Sequence, residues 1–134
     1  MSFAGGHRVQ VRWRDLDALG HAYHAVALTY LEEGRDRFLA RHGIARDEYV
    51  VGSCSLRFVE EIDPGQEAVT VECEIERLGR SSLATSERVL RDDGEVVIEA
   101  EFGLVLWDRE RRASRPLSDG ERASLEGARP EGAD

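Results

Sequence analysis

No stretch of the sequence approaches the roughly 20 consecutive apolar residues that a membrane-spanning helix needs, so no span is expected. Met1 to Gly6 lacks the charged and apolar regions of a secretory signal, which makes a cytoplasmic location the default expectation. Positive charge is short: 18 Lys and Arg against 27 Asp and Glu leave a net charge of −9. That balance argues against nucleic acid as a partner, because binding a polyanion normally needs a basic surface. A small anionic ligand needs only a local cluster of cations. Cysteine is scarce. Cys54 and Cys73 lie in strand-like segments without metal-ligand spacing, and read as reduced, half-buried thiols acting as small apolar residues. No internal repeat, low-complexity tract or interdomain linker interrupts the 134 residues. That length suits one domain with a real core, expected over residues 1–127, with 128–134 a frayed tail.

What is present is clear periodicity. Residues 7–13 alternate apolar and polar, as a half-buried strand does. Asp15, Asp17 and Gly20 then suggest a turn. From about Ala22 the spacing becomes helical: Tyr23, Ala27, Leu31, Gly34 and Phe38 recur every three or four residues, widened by Tyr30 and Leu39. Glu32, Glu33, Arg35, Asp36 and Arg37 fill the remaining surface, and Gly43 suits a left-handed stop. This predicts a helix of about five turns. Its small residues Ala25, Ala27 and Gly34 suggest that another backbone approaches closely.

The rest reads as antiparallel strands. Cys54, Leu56 and Phe58 alternate with polar neighbours, and Asp63-Pro64-Gly65-Gln66 is a turn signal. Val69, Val71, Cys73 and Ile75 oppose an acidic row, Glu72, Glu74 and Glu76. Residues 82–91 form a weaker strand, ended by Asp92-Asp93-Gly94. Val96, Ile98, Ala100, Phe102, Leu104 and Leu106 make a long last one. One-sided strands need a cover, and one long helix is available to supply it. The expected fold class is therefore α+β, with an antiparallel sheet curled around a central helix. Its open edges invite pairing with a second subunit.

The stretch Trp13-Arg14-Asp15-Leu16-Asp17-Ala18-Leu19-Gly20-His21-Ala22-Tyr23-His24-Ala25 joins the first strand to the start of the helix. Unpaired amides at a helix start carry partial positive charge and stabilise developing anions. A carboxylate just upstream can face the same spot. Hydrolysis of an acyl thioester needs both: a group that polarises the carbonyl, and a base or nucleophile.

The Asp17-x-x-Gly20 loop, Tyr23-His24-Ala25 and Glu32 resemble the signature of the 4-hydroxybenzoyl-CoA thioesterase family, most closely its Tol–Pal-associated branch. The similarity continues through Ser53-Cys54, Asp63-Pro64-Gly65 and Leu78-Gly79-Arg80-Ser81-Ser82, and ends at Arg115-Pro116-Leu117 before a short helix. The resemblance implies a hotdog fold, a homodimer or homotetramer, and active sites at the subunit interface. It implies Asp17 as nucleophile or general base on an acyl-CoA or an acyl carrier protein, in the loop that Gly20 closes. It further implies carbonyl-polarising amides near Tyr23 and His24, with the His24 side chain orienting water or the acyl group. CoA phosphates would meet Arg80, with Ser81, Ser82 and Arg77 beside it. No cofactor and no metal are implied. Many relatives carry Asn where this chain has Tyr23 and His24, and some have a more basic hairpin. An acidic surface would repel an acidic carrier protein, which favours CoA.

Each residue also has a plainer reading. Asp17 is of the type that caps helices, Asp15 is expected to be structural, and His24 suits a satisfied, half-buried histidine. His21 reads as a loop residue. Arg77, Arg80 and Arg88 form either a phosphate patch or a solvated face. Glu60, Glu61 and the row from Glu72 to Glu76 read as surface. Two histidines at i and i+4, the zinc-helix pattern, are missing from residues 15–24, so no metal site is expected there. Tyr23, Val26, Tyr30 and Phe58 are the expected lining of an acyl pocket. Two competing functions stay open: a hotdog hydratase or dehydratase pairing Asp17 with His21 or His24, and a non-catalytic acyl- or CoA-binding protein on the same fold.

Overall fold

The computed structural model describes residues 6–19, 24–62 and 65–130. In chain order the elements are β1 (His7–Gln10), a 3-10 turn (Trp13–Asp15), α1 (Val26–Ala40), β2 (Tyr49–Phe58), β3 (Ala68–Leu78), β4 (Ser82–Leu90), β5 (Val96–Asp108), β6 (Ala113–Ser114) and α2 (Asp119–Glu126). The strands run β1-β3-β4-β5-β2 across one sheet, every neighbouring pair antiparallel, with β6 paired to the end of β5. Asp63 and Pro64 of the expected turn, and the last four residues of the expected tail, lie outside the described residues.

Strand periodicity decides which face is inside. Val69, Val71, Cys73 and Ile75 of β3 are buried, as are Ile98, Ala100, Phe102, Leu104 and Leu106 of β5. Cross-strand pairs Val71 with Val89 and Thr85 with Phe102 keep one face apolar across three strands. Only β3, β4 and β5 follow one another as hairpins. β2 lies beyond β5, and the chain then crosses to β3 at the other side. Val59 N and Glu60 N donate to Val97 O (2.8 and 3.2 Å), holding the departing chain against β5. β2 also begins at Tyr49, earlier than the alternation from Cys54 suggests, since a register shift between Val51 and Ser53 breaks its period.

α1 covers β1, β3 and β4. Ala27, Tyr30, Leu31, Gly34, Phe38 and Leu39 are buried beneath it. The small residue Gly34 admits a side chain, not a backbone: a Cβ there would stand 2.3 Å from Val71 Cγ1. Gly43 ends the helix with φ +82°, as expected, while Ile44 N reaches back to Leu39 O (3.0 Å). The helix is four turns, not five, and starts at Val26. His24 and Ala25 form a turn in which Ala27 N bonds His24 O (3.3 Å). Apolar spacing does not mark where helical hydrogen bonding begins.

Arg35 is the largest departure. Read from sequence as surface, it is 2% exposed, its guanidinium forked onto Glu87 of β4 (2.8 and 3.2 Å). Thr85 Oγ1 donates to the same carboxylate (2.6 Å), and the Phe102 ring lies 3.8 Å from the guanidinium carbon. The pair bolts helix to sheet at the centre of the core.

The inner-facing side of β2 is left uncovered. Val51, Cys54, Leu56 and Phe58 share the face of Leu104, Phe102, Ala100 and Ile98. Yet Val51 is 46% and Phe58 52% exposed, and Cys54 is exposed too. Among the described residues no helix is long and apolar enough to cross a membrane. A curled antiparallel sheet wrapped around one helix is the hotdog arrangement, an α+β fold.

Candidate active site

β1 delivers the chain to the loop before α1. Val11 N bonds Glu67 O (2.8 Å), and Leu16 N closes the 3-10 turn onto Trp13 O (3.2 Å). Asp15 is buried, its Oδ2 accepting from Arg12 N (2.9 Å) and from the Tyr30 hydroxyl (2.8 Å). Asp17 is half-buried two residues on, and its Oδ1 accepts from Leu19 N (2.9 Å). This Asx-turn orients the carboxylate. Trp13, Arg14, Leu16, Asp17 and Ala18 line a surface depression of about 550 Å³, one whole wall of which is this loop. Gly20, His21 and the amide of Tyr23, all singled out from sequence, lie outside the described residues.

His24 sits immediately before α1 instead of within its first turn. It is exposed, and its ring meets Phe58 edge-on, centroids 6.3 Å apart at 89°. The start of α1 therefore lies beside the uncovered stripe of β2. Among the described residues no side chain caps this helix, and its first turn carries no acid. Its leading N–H groups keep their partial positive charge.

Of the expected acyl-pocket residues, Phe58 borders the helix start, whereas Tyr30 does not. Tyr30 is fully buried and bound to Asp15; burial first and that hydrogen bond second hold its phenol above the ordinary value. It stays a donor.

The β3–β4 turn is tightly made. Gly79 N bonds Ser82 O (2.7 Å), and Leu106 N bonds Ser81 O (2.8 Å). From the far end of the chain, Leu117 N bonds Arg80 O (2.9 Å) and Arg122 Nη2 bonds Gly79 O (2.8 Å). Arg77 and Ser82 line a depression of about 220 Å³ with Gly52 and Ser53 of β2, and Arg80 is exposed beside it. Arg88 does not join them. It lies four residues, about 13 Å at strand rise, past Ala84, the β4 partner of Arg77, and is bound to Glu72 (2.6 Å). The chain contains no lysine, so every such cation is an arginine with a fork matched to phosphate. Arg122 was not found from sequence, because its approach depends on where α2 docks. No group of three or more metal-ligating side chains occurs among the described residues.

A family model, the thioesterase-like superfamily, matches residues 11–125. A thioesterase from Thermus thermophilus, solved with coenzyme A and zinc, is 33% identical, covering 93% of this chain and 95% of its own, at a TM-score of 0.81. A candidate thioesterase from Pseudomonas aeruginosa is 27% identical over 92% of this chain and 99% of its own, with a TM-score of 0.81. A Staphylococcus aureus protein solved in complex with CoA shares the fold alone: 16% identity, 93% and 85% coverage, TM-score 0.83. No curated protein gives a significant match. By the family match over most of its length, this chain belongs to the thioesterase-like superfamily.

Proposed function

We propose that the protein hydrolyses acyl-CoA thioesters, with Asp17 as base or nucleophile and the first amides of α1 holding the carbonyl oxygen. The observation that carries this reading is a half-buried carboxylate in the loop that leads to a helix start beside an apolar stripe, with Ala25, which offers no capping side chain, at the cap position. As a base, Asp17 takes a proton from water while the water oxygen attacks the acyl carbon. As a nucleophile, it forms an acyl anhydride that water then opens. In both routes the C–S bond breaks, the thiolate leaves, and the negative charge that builds on the carbonyl oxygen meets the helix N–H groups. His24 orients water or acyl group, and the roles of Gly20 and of the Tyr23 amide are those the family resemblance implies.

A depression walled by one loop needs a second wall, and β2 needs a cover; a second copy of the chain meets both needs. Pairing along the free side of β2 gives its backbone partners and buries Val51, Leu56 and Phe58. The working unit is then a homodimer, or a homotetramer built from it, with the site between subunits. Arg80 takes a CoA phosphate, with Arg77, Ser81 and Ser82 alongside. Coenzyme A in the solved relative that is 33% identical supports this over a carrier protein, as does the acidic surface. A cytoplasmic role and the Tol–Pal-associated branch of 4-hydroxybenzoyl-CoA thioesterase relatives fit the same reading.

The test is a thiol-release screen over short, medium, long and aromatic acyl-CoAs. Release from at least one class is expected. Saturable CoA binding without release from any would make the protein a non-catalytic binder. Loss of enoyl absorbance without free thiol would make it a hydratase.

A further inference from the structure

We infer that Asp15 and Tyr30 form a positioning pair, which sets the height of the Asp17 carboxylate over the first amides of α1. The inference rests on the hydrolase reading and adds to it residues that touch neither substrate nor reacting atoms.

Asp15 is 7% exposed, and a buried carboxylate is costly unless donors meet it. Both of its donors fall on one oxygen, Oδ2: the Arg12 amide at 2.9 Å and the Tyr30 hydroxyl at 2.8 Å. Tyr30 is itself fully buried and stands four residues, about 6 Å of rise, beyond the first residue of α1. A second tie runs parallel. The Arg12 guanidinium forks onto Glu33 (2.7 and 3.2 Å), three residues after Tyr30 on the same helix face. Both ends of the 3-10 turn are thus fastened to α1. Two residues of chain reach at most about 7 Å, so where Asp15 is held limits where Asp17 can be. The phenol raised by burial and by Asp15 remains protonated across the working range, so the tie does not titrate away. A tie of this kind acts on rate, since a displacement of about 1 Å in a reacting group can cost on the order of 100-fold.

Because a single oxygen accepts both bonds, Asp15→Asn can keep them through its amide oxygen, whereas Asp15→Ala cannot. Tyr30→Phe removes one donor and leaves the carboxylate. Steady-state kinetics on the best acyl-CoA are expected to give Asp15→Asn a kcat within about tenfold of the parent. Asp15→Ala and Tyr30→Phe should lose roughly 10- to 100-fold in kcat with little change in KM. Hydrogen exchange supplies a readout without turnover. The segment 12–19 should exchange faster in Asp15→Ala and Tyr30→Phe and at the parent rate in Asp15→Asn, with β3 to β5 unchanged. Parent-level kcat in Asp15→Ala overturns the inference. So does an inactive Asp15→Asn with native exchange, which would make Asp15 a chemical carboxylate. If the parent itself cleaves no thioester, the hydrolase reading fails alone, and the exchange rates still decide whether Asp15 and Tyr30 hold the loop.

Discussion

The Arg35–Glu87 pair offers a stringent test of how the core is held. Both residues are 2% exposed; Arg35 meets Glu87 through two nitrogens, and Thr85 donates to the same carboxylate. Replacing Glu87 with Ala would leave a guanidinium buried over the Phe102 ring with only the Tyr49 hydroxyl, 3.5 Å away, as a distant partner. Removing one member of a buried pair costs about 3–5 kcal/mol, because the remaining charge loses its compensation. With a urea slope of roughly 2 kcal/mol per molar, the midpoint should fall by about 2 M. Urea titrations followed by circular dichroism, at one fixed protomer concentration, measure this directly. The double substitution Arg35→Met with Glu87→Leu removes both charges and should recover most of the loss. A Glu87→Ala cost under about 1 kcal/mol, or a double variant no better than the single, would refute the argument that uncompensated charge dominates here.

Two further outcomes follow from named groups. Burial foremost, and then the Glu87 charge, push the Cys73 thiol up, so Cys73 should resist thiol reagents until the protein unfolds. Cys54 should be slow only where a second copy covers β2; Phe58→Lys should yield monomers with a fast Cys54, and a fast Cys54 in a sedimenting dimer would put the interface elsewhere. The Arg115 fork (2.8 and 2.9 Å) chiefly holds the Glu121 carboxyl below its ordinary value. Since its pKa is lower folded than unfolded, this stabilisation is complete above the ordinary value and lost as pH falls through the folded one. Glu121→Gln should cost roughly 1–2 kcal/mol at pH 7, and the gap should close at low pH; a gap independent of pH would contradict it.

How far the sequence could be read depended on the range of each interaction. β3 and β5 were legible because alternation of Val71, Cys73 and Ile75, or of Phe102, Leu104 and Leu106, is a property of adjacent residues. Gly43 was legible for the same reason. Arg35 was not, since its counter-charge lies 52 positions away and residue type alone points it outward. Nor was the place of β2 beyond β5, which no local pattern encodes. At the site, the Asp17 loop carried a recognisable spacing. The tie from Asp15 to Tyr30 and the approach of Arg122 to the hairpin did not, because each depends on how separate elements dock. Tyr30 looked like a pocket residue for that reason.

The central claim is that the Asp17 charge performs the chemistry, and turnover by Asp17→Asn on the best acyl-CoA tests it most directly. The expected result is a loss of kcat of about 10²- to 10⁴-fold, with CoA binding and the unfolding midpoint unchanged. Hydrolysis by Asp17→Asn at the parent rate would contradict the account.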